Sequence, residues 1–306
     1  IMYPEMVKRG YPSDYSTAVQ AVGGTLGIII PRSIVFVIYG STNGVSISKL
    51  LMSGMLPGIL TAVVLCLYGY VVAKKENFPK SFDQFSLKRV LKSLKGAVWA
   101  LMMPLIILGG IYGGIFTPTE SAMIACAYGL VVSFFVTKEL TVKNFFDVVS
   151  KTAASTANVT VMFLAAQVFG FLIAYYDITT TIANFFVAVS PNWIIFMGLV
   201  FILLTITGMF MEVGATNVIL SPLLAPVAAA FGIDPIHFGM VFVFLLALGQ
   251  ATPPFGSTMF IACGISGERV AAVIRRLLPF VLVEYACALV FAYVPWFSTF
   301  LPSLMA

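Results

Sequence analysis

The chain has 306 residues, of which 60% are hydrophobic and 9% are charged, and its mean hydropathy is +1.03. A composition with so little polar surface excludes a water-soluble globule and favours a protein that uses lipid as its solvent. The formal net charge of +5 comes from cations that cluster beside apolar runs, which indicates the basic loops of a membrane protein and not a nucleic-acid-binding face.

Apolar runs that are long enough to cross a bilayer follow one another along the chain, since a helical span needs about 20 residues. Six of them are uninterrupted: Leu50–Ala73, Gly96–Phe116, Ala122–Val136, Ala153–Tyr175, Trp193–Met211 and Leu278–Phe300. Two more, Ala18–Tyr39 and Phe238–Cys263, are interrupted by glycine and proline. No stretch alternates with period two over the length of a barrel strand, so the sequence predicts an all-α polytopic transmembrane fold.

Basic residues between the spans predict the topology. They are concentrated between Ala73 and Gly96, and this loop is therefore expected in the cytoplasm: Lys74, Lys75, Lys80, Lys88, Arg89, Lys92 and Lys95. The segment 178–189 is short for a span, which leaves the number of later crossings open. Because the chain starts with Ile and not with Met, we expect it to be part of a longer protein.

An internal repeat organises the chain. Five glycine and proline positions recur without gaps 222 residues later, with Pro4, Gly10, Gly27, Pro31 and Pro57 matching Pro226, Gly232, Gly249, Pro253 and Pro279. The predicted parts are a first repeat 1–73 (the end of a first hairpin, a broken helix 18–39 and a span 50–73), a cytoplasmic basic loop 74–95, connecting and scaffold spans 96–208 and a second repeat 209–306. The second repeat contains a re-entrant hairpin 209–231, a broken helix 236–263 and a last span 278–300, and the charge pattern predicts that it is inverted relative to the first.

The two broken helices are the segments most suited to binding. Proline removes a backbone donor and frees carbonyl groups, which persist at membrane depth only where protein, water or an ion satisfies them. Hydroxyl groups lie beside these carbonyls, at Thr25, Ser33, Thr252 and Ser257. Such a set of hard oxygen ligands suits a small cation such as Na⁺. The alternative is that both proline sites merely kink their helices for packing.

Arg32 follows the first break, near the middle of a span, where a charge costs about 2.5–3.5 kcal/mol on insertion scales. Its planar guanidinium group suits an anionic carboxylate, so we assign it with the four hydroxyl residues to a candidate substrate site. Two alternatives stay open: snorkelling to the interface, or an ion pair with Glu120 or Glu212. Glu212, at the polar tip of the predicted hairpin, either neutralises a bound cation or caps a helix.

Other motifs carry less chemistry. The glycine-rich segment Gly109–Ser121 lacks the strand and lysine of a phosphate loop and indicates close helix packing, with Pro118 as the first residue of a helix capped by Thr117 and Glu120. His237 is the single histidine, which makes a His-based metal site or a Ser-His-Asp triad hard to assemble from this chain. The cysteines lie singly in apolar stretches and are read as packing residues. We therefore predict a transporter that is not an enzyme, with an anion channel and an intramembrane enzyme as the rivals.

Four ordered segments carry a family resemblance. GGTLGIIIPRS (Gly23–Ser33), GGIFTPTES (Gly113–Ser121), GIDPIHFG (Gly232–Gly239) and GQATPPFGS (Gly249–Ser257) resemble the large membrane (M) subunit of tripartite ATP-independent periplasmic (TRAP) transporters. The resemblance covers essentially the whole chain. It implies an elevator mechanism, in which hairpins and broken helices move as a block through a static scaffold, in the inner membrane of a bacterium.

The resemblance also implies ligands and partners. Two or more Na⁺ ions, and no organic cofactor, would bind at Gly24, Thr25, Gly27, Pro31, Glu212, Gly214 to Thr216, Gly249, Thr252 and Pro253. A small membrane subunit (Q), separate or fused, and a periplasmic substrate-binding protein (P) would be the partners, with a carboxylate as substrate. Many relatives have Pro-Pro where this chain has Pro31-Arg32, which suggests a distinctive anion; we favour sialic acid over C4-dicarboxylates.

Overall fold

The computed structural model describes residues 2–30, 33–78, 87–113 and 115–304, and every regular element in these ranges is a helix. The helices of the N-terminal part are α1 (Met2–Lys8), α2 (Ser13–Ile29), α3 (Ile34–Asn43), α4 (Ile47–Ser53), α5 (Met55–Lys75), α6 (Leu87–Tyr112) and α7 (Pro118–Val131). Those of the C-terminal part are α8 (Val142–Tyr175), α9 (Ile178–Val189), α10 (Trp193–Phe210), α11 (Val213–Ala230), α12 (Pro235–Gly249), α13 (Ser257–Ser266), α14 (Val270–Tyr293) and α15 (Trp296–Ser303). The all-α prediction is confirmed.

Five of the described helical stretches are long and apolar enough to cross a membrane, and a sixth is reached if α14 and α15, which meet at 64°, count as one span. The five are Ser13–Asn43, Ile47–Lys75, Thr119–Val136, Trp193–Phe210 and Val213–Ala230. Many large apolar side chains on these helices are exposed, as expected where lipid replaces water. The chain is a multi-pass membrane protein.

The chain divides into two compact units, Ile1–Pro79 with Ala165–Ala306 and Lys80–Leu164. The centre of the first unit is α12, whose residues from His237 to Gly249 are all buried. A helix that is apolar on every side must be surrounded by other helices, and α12 is packed against α2, α10, α11 and α14 among others. In the same unit, Arg276 of α14 pairs with Asp14 of α2 and with Glu76 after α5.

The predicted interruptions of both broken helices are confirmed. Helix α2 ends at Ile29, and Ile30 is extended at φ −70° and ψ 141°, as the residue before a proline prefers. Helix α3 begins after Ser33, which is also extended. In the second copy, α12 ends at Gly249, the chain is not helical between Gly249 and Ser257, and α13 begins at Ser257.

Matching turns occur at the offset of 222 residues. Gly10 and Gly232 both have positive φ, 87° and 74°, a conformation that favours glycine. In each copy the glycine N–H donates to the carbonyl three residues earlier at 2.9 Å. The next N–H donates to the carbonyl five residues before it, at 3.1 and 3.0 Å. The match of Gly10 with Gly232 therefore corresponds to equivalent backbone turns.

The second unit contains α6, α7, a π-helical turn (Val132–Val136) and the start of α8. The predicted helix start is confirmed, because Thr117 and Glu120 form a reciprocal capping box and Pro118 is the first residue of α7. Tyr128 of α7 donates a hydrogen bond of 2.8 Å to the carbonyl of Trp99, which fixes α7 against α6.

Three predicted boundaries differ from the structure. The range 209–231 is not a hairpin in itself, because α11 runs unbroken through Pro222 and Pro226 and the break lies before it, at Met211 and Glu212. The run Leu278–Phe300 is bent at Val294 and Pro295. The basic loop 74–95 is shorter than predicted, since Lys75 still belongs to α5 and α6 already begins at Leu87; lysine and arginine are good helix formers.

Candidate functional site

The last turns of α2, just before the first break, lie close to the second break in the first unit, and one turn of α14 contacts both segments. The hydroxyl of Thr25, before the first break, lies 2.6 Å from Oε1 of Glu284. The hydroxyl of Thr252, inside the second break, lies 3.1 Å from the hydroxyl of the next residue, Tyr285. Direct packing adds to this, because a Cβ atom on Gly24 would be 3.4 Å from the Thr258 side chain just after the second break.

Gln250 organises the second break. Its side-chain N–H₂ group donates to the carbonyl oxygens of Gly208 (3.3 Å) and Met211 (3.2 Å), which ties the break to the end of α10. Its side-chain oxygen accepts a hydrogen bond from Ser257, and its backbone oxygen accepts from the N–H and the hydroxyl of Thr258. The side-chain hydrogen bonds of Gln250 thus replace some of the backbone hydrogen bonds that the interrupted helix loses.

The second half of the first broken helix is joined to α11. Asn217 donates from Nδ2 to the carbonyl of Val35 at 2.8 Å, and Asn43 donates to the Ser221 hydroxyl at 2.9 Å. Two buried oxygens here have no hydrogen-bond partner among the described residues, Oγ of Ser33 and Oδ1 of Asn217. Buried polar atoms are nearly always satisfied, so unpaired oxygens beside a helix break are candidates for ligand contact.

The predicted site residues fall into several groups. Thr25, Thr252 and Gly24 lie at the contacts among α2, α13, α14 and the second break described above. Ser257, the first residue of α13, donates a hydrogen bond to the side chain of Gln250. Gly249 packs on the backbone of Gly208. At Gly27, no atom lies within 4 Å of the position that a Cβ atom would take. Pro253 lies inside the second break and is partly exposed. Pro31 and Arg32 lie outside the described residues.

Glu212 is placed as a helix cap. Its carboxylate accepts a hydrogen bond of 2.9 Å from the N–H of Ala215, at the start of α11. This is the capping alternative of the two that the sequence left open. Thr216 is buried and donates to the Glu212 carbonyl at 2.9 Å, and Gly214 is buried beside it. The other proposed partner of Arg32, Glu120, is engaged in the capping box of α7.

Sequence reasoning missed the residues that connect the breaks, namely Glu284, Gln250, Asn217 and Tyr285. For Glu284 a signal was available, because it is an acidic residue inside the apolar run Leu278–Phe300, and ionisable residues within spans are usually functional. No cluster of three or more His, Cys, Asp or Glu side chains occurs among the described residues.

A cavity of about 230 Å³ opens beside this contact. It lies between α1, α2 and α13, and its lining is mixed: Tyr3, Thr17, Gln20, Gly24, Thr258, Ile261, Ala262 and Ile265. The polar residues Tyr3, Thr17, Gln20 and Thr258 border this small space, although most of its lining is apolar.

The family described as the tripartite ATP-independent periplasmic transporter, DctM component, matches residues 1–297. The chain belongs to the DctM family. Proteins of this family are TRAP transporter permeases and not enzymes. The resemblance read from the four sequence segments is thereby confirmed.

Three curated relatives illustrate the range of the DctM family. The isethionate TRAP transporter permease protein DctMQ of Oleidesulfovibrio alaskensis is 40% identical over 292 residues, which cover 95% of this chain and 46% of the relative. The C4-dicarboxylate TRAP transporter large permease protein DctM of Vibrio cholerae is 35% identical, and the match covers 100% of this chain and 72% of the relative. The sialic acid TRAP transporter permease protein SiaT of Haemophilus influenzae is 33% identical, and the match covers 98% of this chain and 48% of the relative. The chain thus spans about half the length of two of these relatives.

Proposed function

We propose that this chain is the transporting part of a secondary active transporter that uses a Na⁺ gradient to import a small organic anion. The observation that carries the proposal is the meeting of two interrupted helices, with Thr25 and Thr252 bonded to adjacent residues of α14. Interrupted helices paired near the middle of a membrane are the usual binding sites of secondary transporters.

In this proposal, the hydroxyl and carbonyl oxygens at the two breaks hold Na⁺, and the buried oxygens of Ser33 and Asn217 are available to the same region. Such oxygen sets fit Na⁺ because it is a small, hard cation. Arg32 would bind the anionic group of the substrate. The 222-residue offset is interpreted as an inverted repeat, and the broken helices would move together as the mobile part of an elevator.

The proposed partners are a small membrane subunit and a periplasmic protein that delivers the substrate, in the inner membrane of a bacterium. The name of the O. alaskensis relative, DctMQ, supports a large subunit that works with a small one. Among substrates, we retain sialic acid as the favoured anion because of the Pro31-Arg32 departure. Isethionate is the second candidate, since the relative named for it shares 40% identity with this chain.

The test is uptake into proteoliposomes that contain the assembled membrane subunits and the cognate binding protein. Radiolabelled sialic acid, a C4-dicarboxylate and isethionate are supplied with an inward Na⁺ gradient or with choline in its place. A carrier should accumulate one of these anions only with the gradient. Flux that persists without Na⁺ would instead support the anion channel.

Arg32→Ala should lower uptake at least about 30-fold, because losing one partner of a buried, charge-assisted contact costs about 2–5 kcal/mol. Arg269→Ala, which changes an exposed arginine at the N-cap of α14, is the matched control and should retain wild-type uptake. Equal uptake by both variants would remove Arg32 from the substrate site.

A further inference from the structure

Glu284 is an acidic side chain with no exposed surface, in the interior of the first unit. Its Oε1 lies 2.6 Å from the hydroxyl of Thr25, and that hydroxyl lies 2.7 Å from the carbonyl oxygen of Val22. The other oxygen, Oε2, is buried and has no hydrogen-bond partner among the described residues. The ion pairs found in that part of the chain involve other acids: Glu5, Asp14 and Glu76.

A carboxyl group in this position is stable only if a bound proton or a cation compensates its charge. An acidic side chain at the centre of a span costs about 2.5–3.5 kcal/mol even on insertion scales, and a buried charge without a counter-charge is strongly destabilising. Thr25 supplies a hydrogen-bonding hydroxyl but no positive charge. The hydrogen-bond contacts of Glu284 among the described residues are therefore with oxygen atoms, and none of these partners carries a positive charge.

The oxygens gathered here are of the kind that a small cation binds. Two belong to the Glu284 carboxylate, one to the Thr25 hydroxyl and one to the Val22 carbonyl, on the last turns of α2 before its break. Hard oxygen ligands of this type select alkali and alkaline-earth cations over soft metals. The unpaired Oε2 is the specific sign that one ligand position is open.

The geometry points to Glu284 as the anionic ligand of a Na⁺ site that it forms with Thr25 at the end of α2. This inference rests on the proposed sodium coupling and adds to it the residue that supplies the negative charge, since Thr25, Thr252 and the neighbouring backbone groups are neutral. A buried carboxylate also makes the cation-free state unfavourable. Transport without the cation would therefore be suppressed, which is what tight coupling requires.

The experiment measures equilibrium binding of radiolabelled Na⁺ to the purified subunit complex in lipid nanodiscs, with choline holding the ionic strength constant. We expect Glu284→Gln to bind one Na⁺ fewer per chain, or to need at least about tenfold more Na⁺ for half-saturation. Glu284→Asp keeps the charge and should show a smaller shift. The control is Glu268→Gln, a partly exposed acid in the loop before α14, which should bind as the wild type does.

The outcomes separate this inference from the proposed function. If Glu284→Gln binds as many Na⁺ ions as the wild type with the same midpoint, the carboxyl group carries its own proton and the inference is wrong, while sodium coupling stands. If the wild type binds no Na⁺, both are wrong. Should Glu284→Gln fail to elute as a folded complex, Glu284→Asp and Thr25→Val decide the question, and unchanged binding by both overturns the site.

Discussion

Gly249→Ala is expected to destabilise the protein more than any other single methyl addition among its described glycines. A Cβ atom at this position would lie 2.5 Å from the backbone carbon of Gly208 and 2.7 Å from its oxygen. Backbone atoms cannot rotate away as a flexible side chain does, so α10 and α12 must move apart. Overpacking of this kind costs about 1–3 kcal/mol and occasionally more. The measurement is equilibrium unfolding in mixed detergent micelles.

Gly27→Ala is the matched control, since Gly27 is the residue 222 positions earlier and nothing lies within 4 Å of a Cβ atom there. Alanine inside a helix should stabilise the protein by about 0.5–1 kcal/mol relative to glycine. Gly208→Ala should fall between the two, because its Cβ atom would be 3.1 Å from Gly249. If Gly249→Ala and Gly27→Ala unfold alike, the close crossing of α10 and α12 is contradicted.

The fold was predictable where local chemistry decides it. Proline beside glycine and hydroxyl residues predicted both interruptions, and threonine followed by proline and glutamate predicted the start of α7. Proline alone was a poor guide. Pro222, Pro226 and Pro279 lie inside continuous helices, whereas the chain bends at Pro295. A proline inside a helix removes one backbone hydrogen bond, and whether the helix then breaks depends on its neighbours.

The candidate site was predictable in its location but not in its connections. Thr25 and Thr252 were identified because each lies near a proline of a broken helix in the sequence. The pairing of Thr25 with Glu284 joins residues 259 positions apart, and that of Asn217 with Val35 joins residues 182 apart. Such contacts depend on how helices pack, which spacing along one chain does not encode. Glu284 could have been predicted only from the general rule that a charged residue within an apolar run is costly.

The two sides of the contact depend on different kinds of interaction. On the α10–α12 side, glycines allow two backbones to touch, and Gln250 then bonds across the junction. On the α14 side, Glu284 contacts Thr25 in the last turns of α2, and Tyr285 contacts Thr252 in the second break. A variant that separates α10 from α12 should therefore disturb the second break first, whereas a variant of α14 should alter ligand binding while the helices stay packed.

Gln250→Leu should unfold the second break and lower the stability of the whole first unit. The side chain is 5% exposed, and its removal leaves the Gly208 and Met211 carbonyls and the Ser257 hydroxyl without this partner. The bond to Gly208 is buried, and a buried group left unpaired costs about 1–3 kcal/mol, whereas Met211 and Ser257 are exposed residues whose groups lose less. Leucine of similar size fills the space without replacing the bonds. The same unfolding measurement reports the loss, and Na⁺ binding should weaken with it because the break positions the Thr252 hydroxyl.

Gln20→Leu provides the matched comparison for this prediction. Gln20 is a partly buried glutamine on α2, and its side-chain N–H₂ group donates a hydrogen bond of 3.5 Å to the sulfur of Met6. Its replacement should change stability by less than about 0.5 kcal/mol, as is usual for substitutions away from buried networks. Gln250 is special only if its variant loses several times more stability than this one. Equal losses would mean that the backbone and the Thr258 hydroxyl suffice to hold the second break, and that the side-chain bonds of Gln250 contribute little.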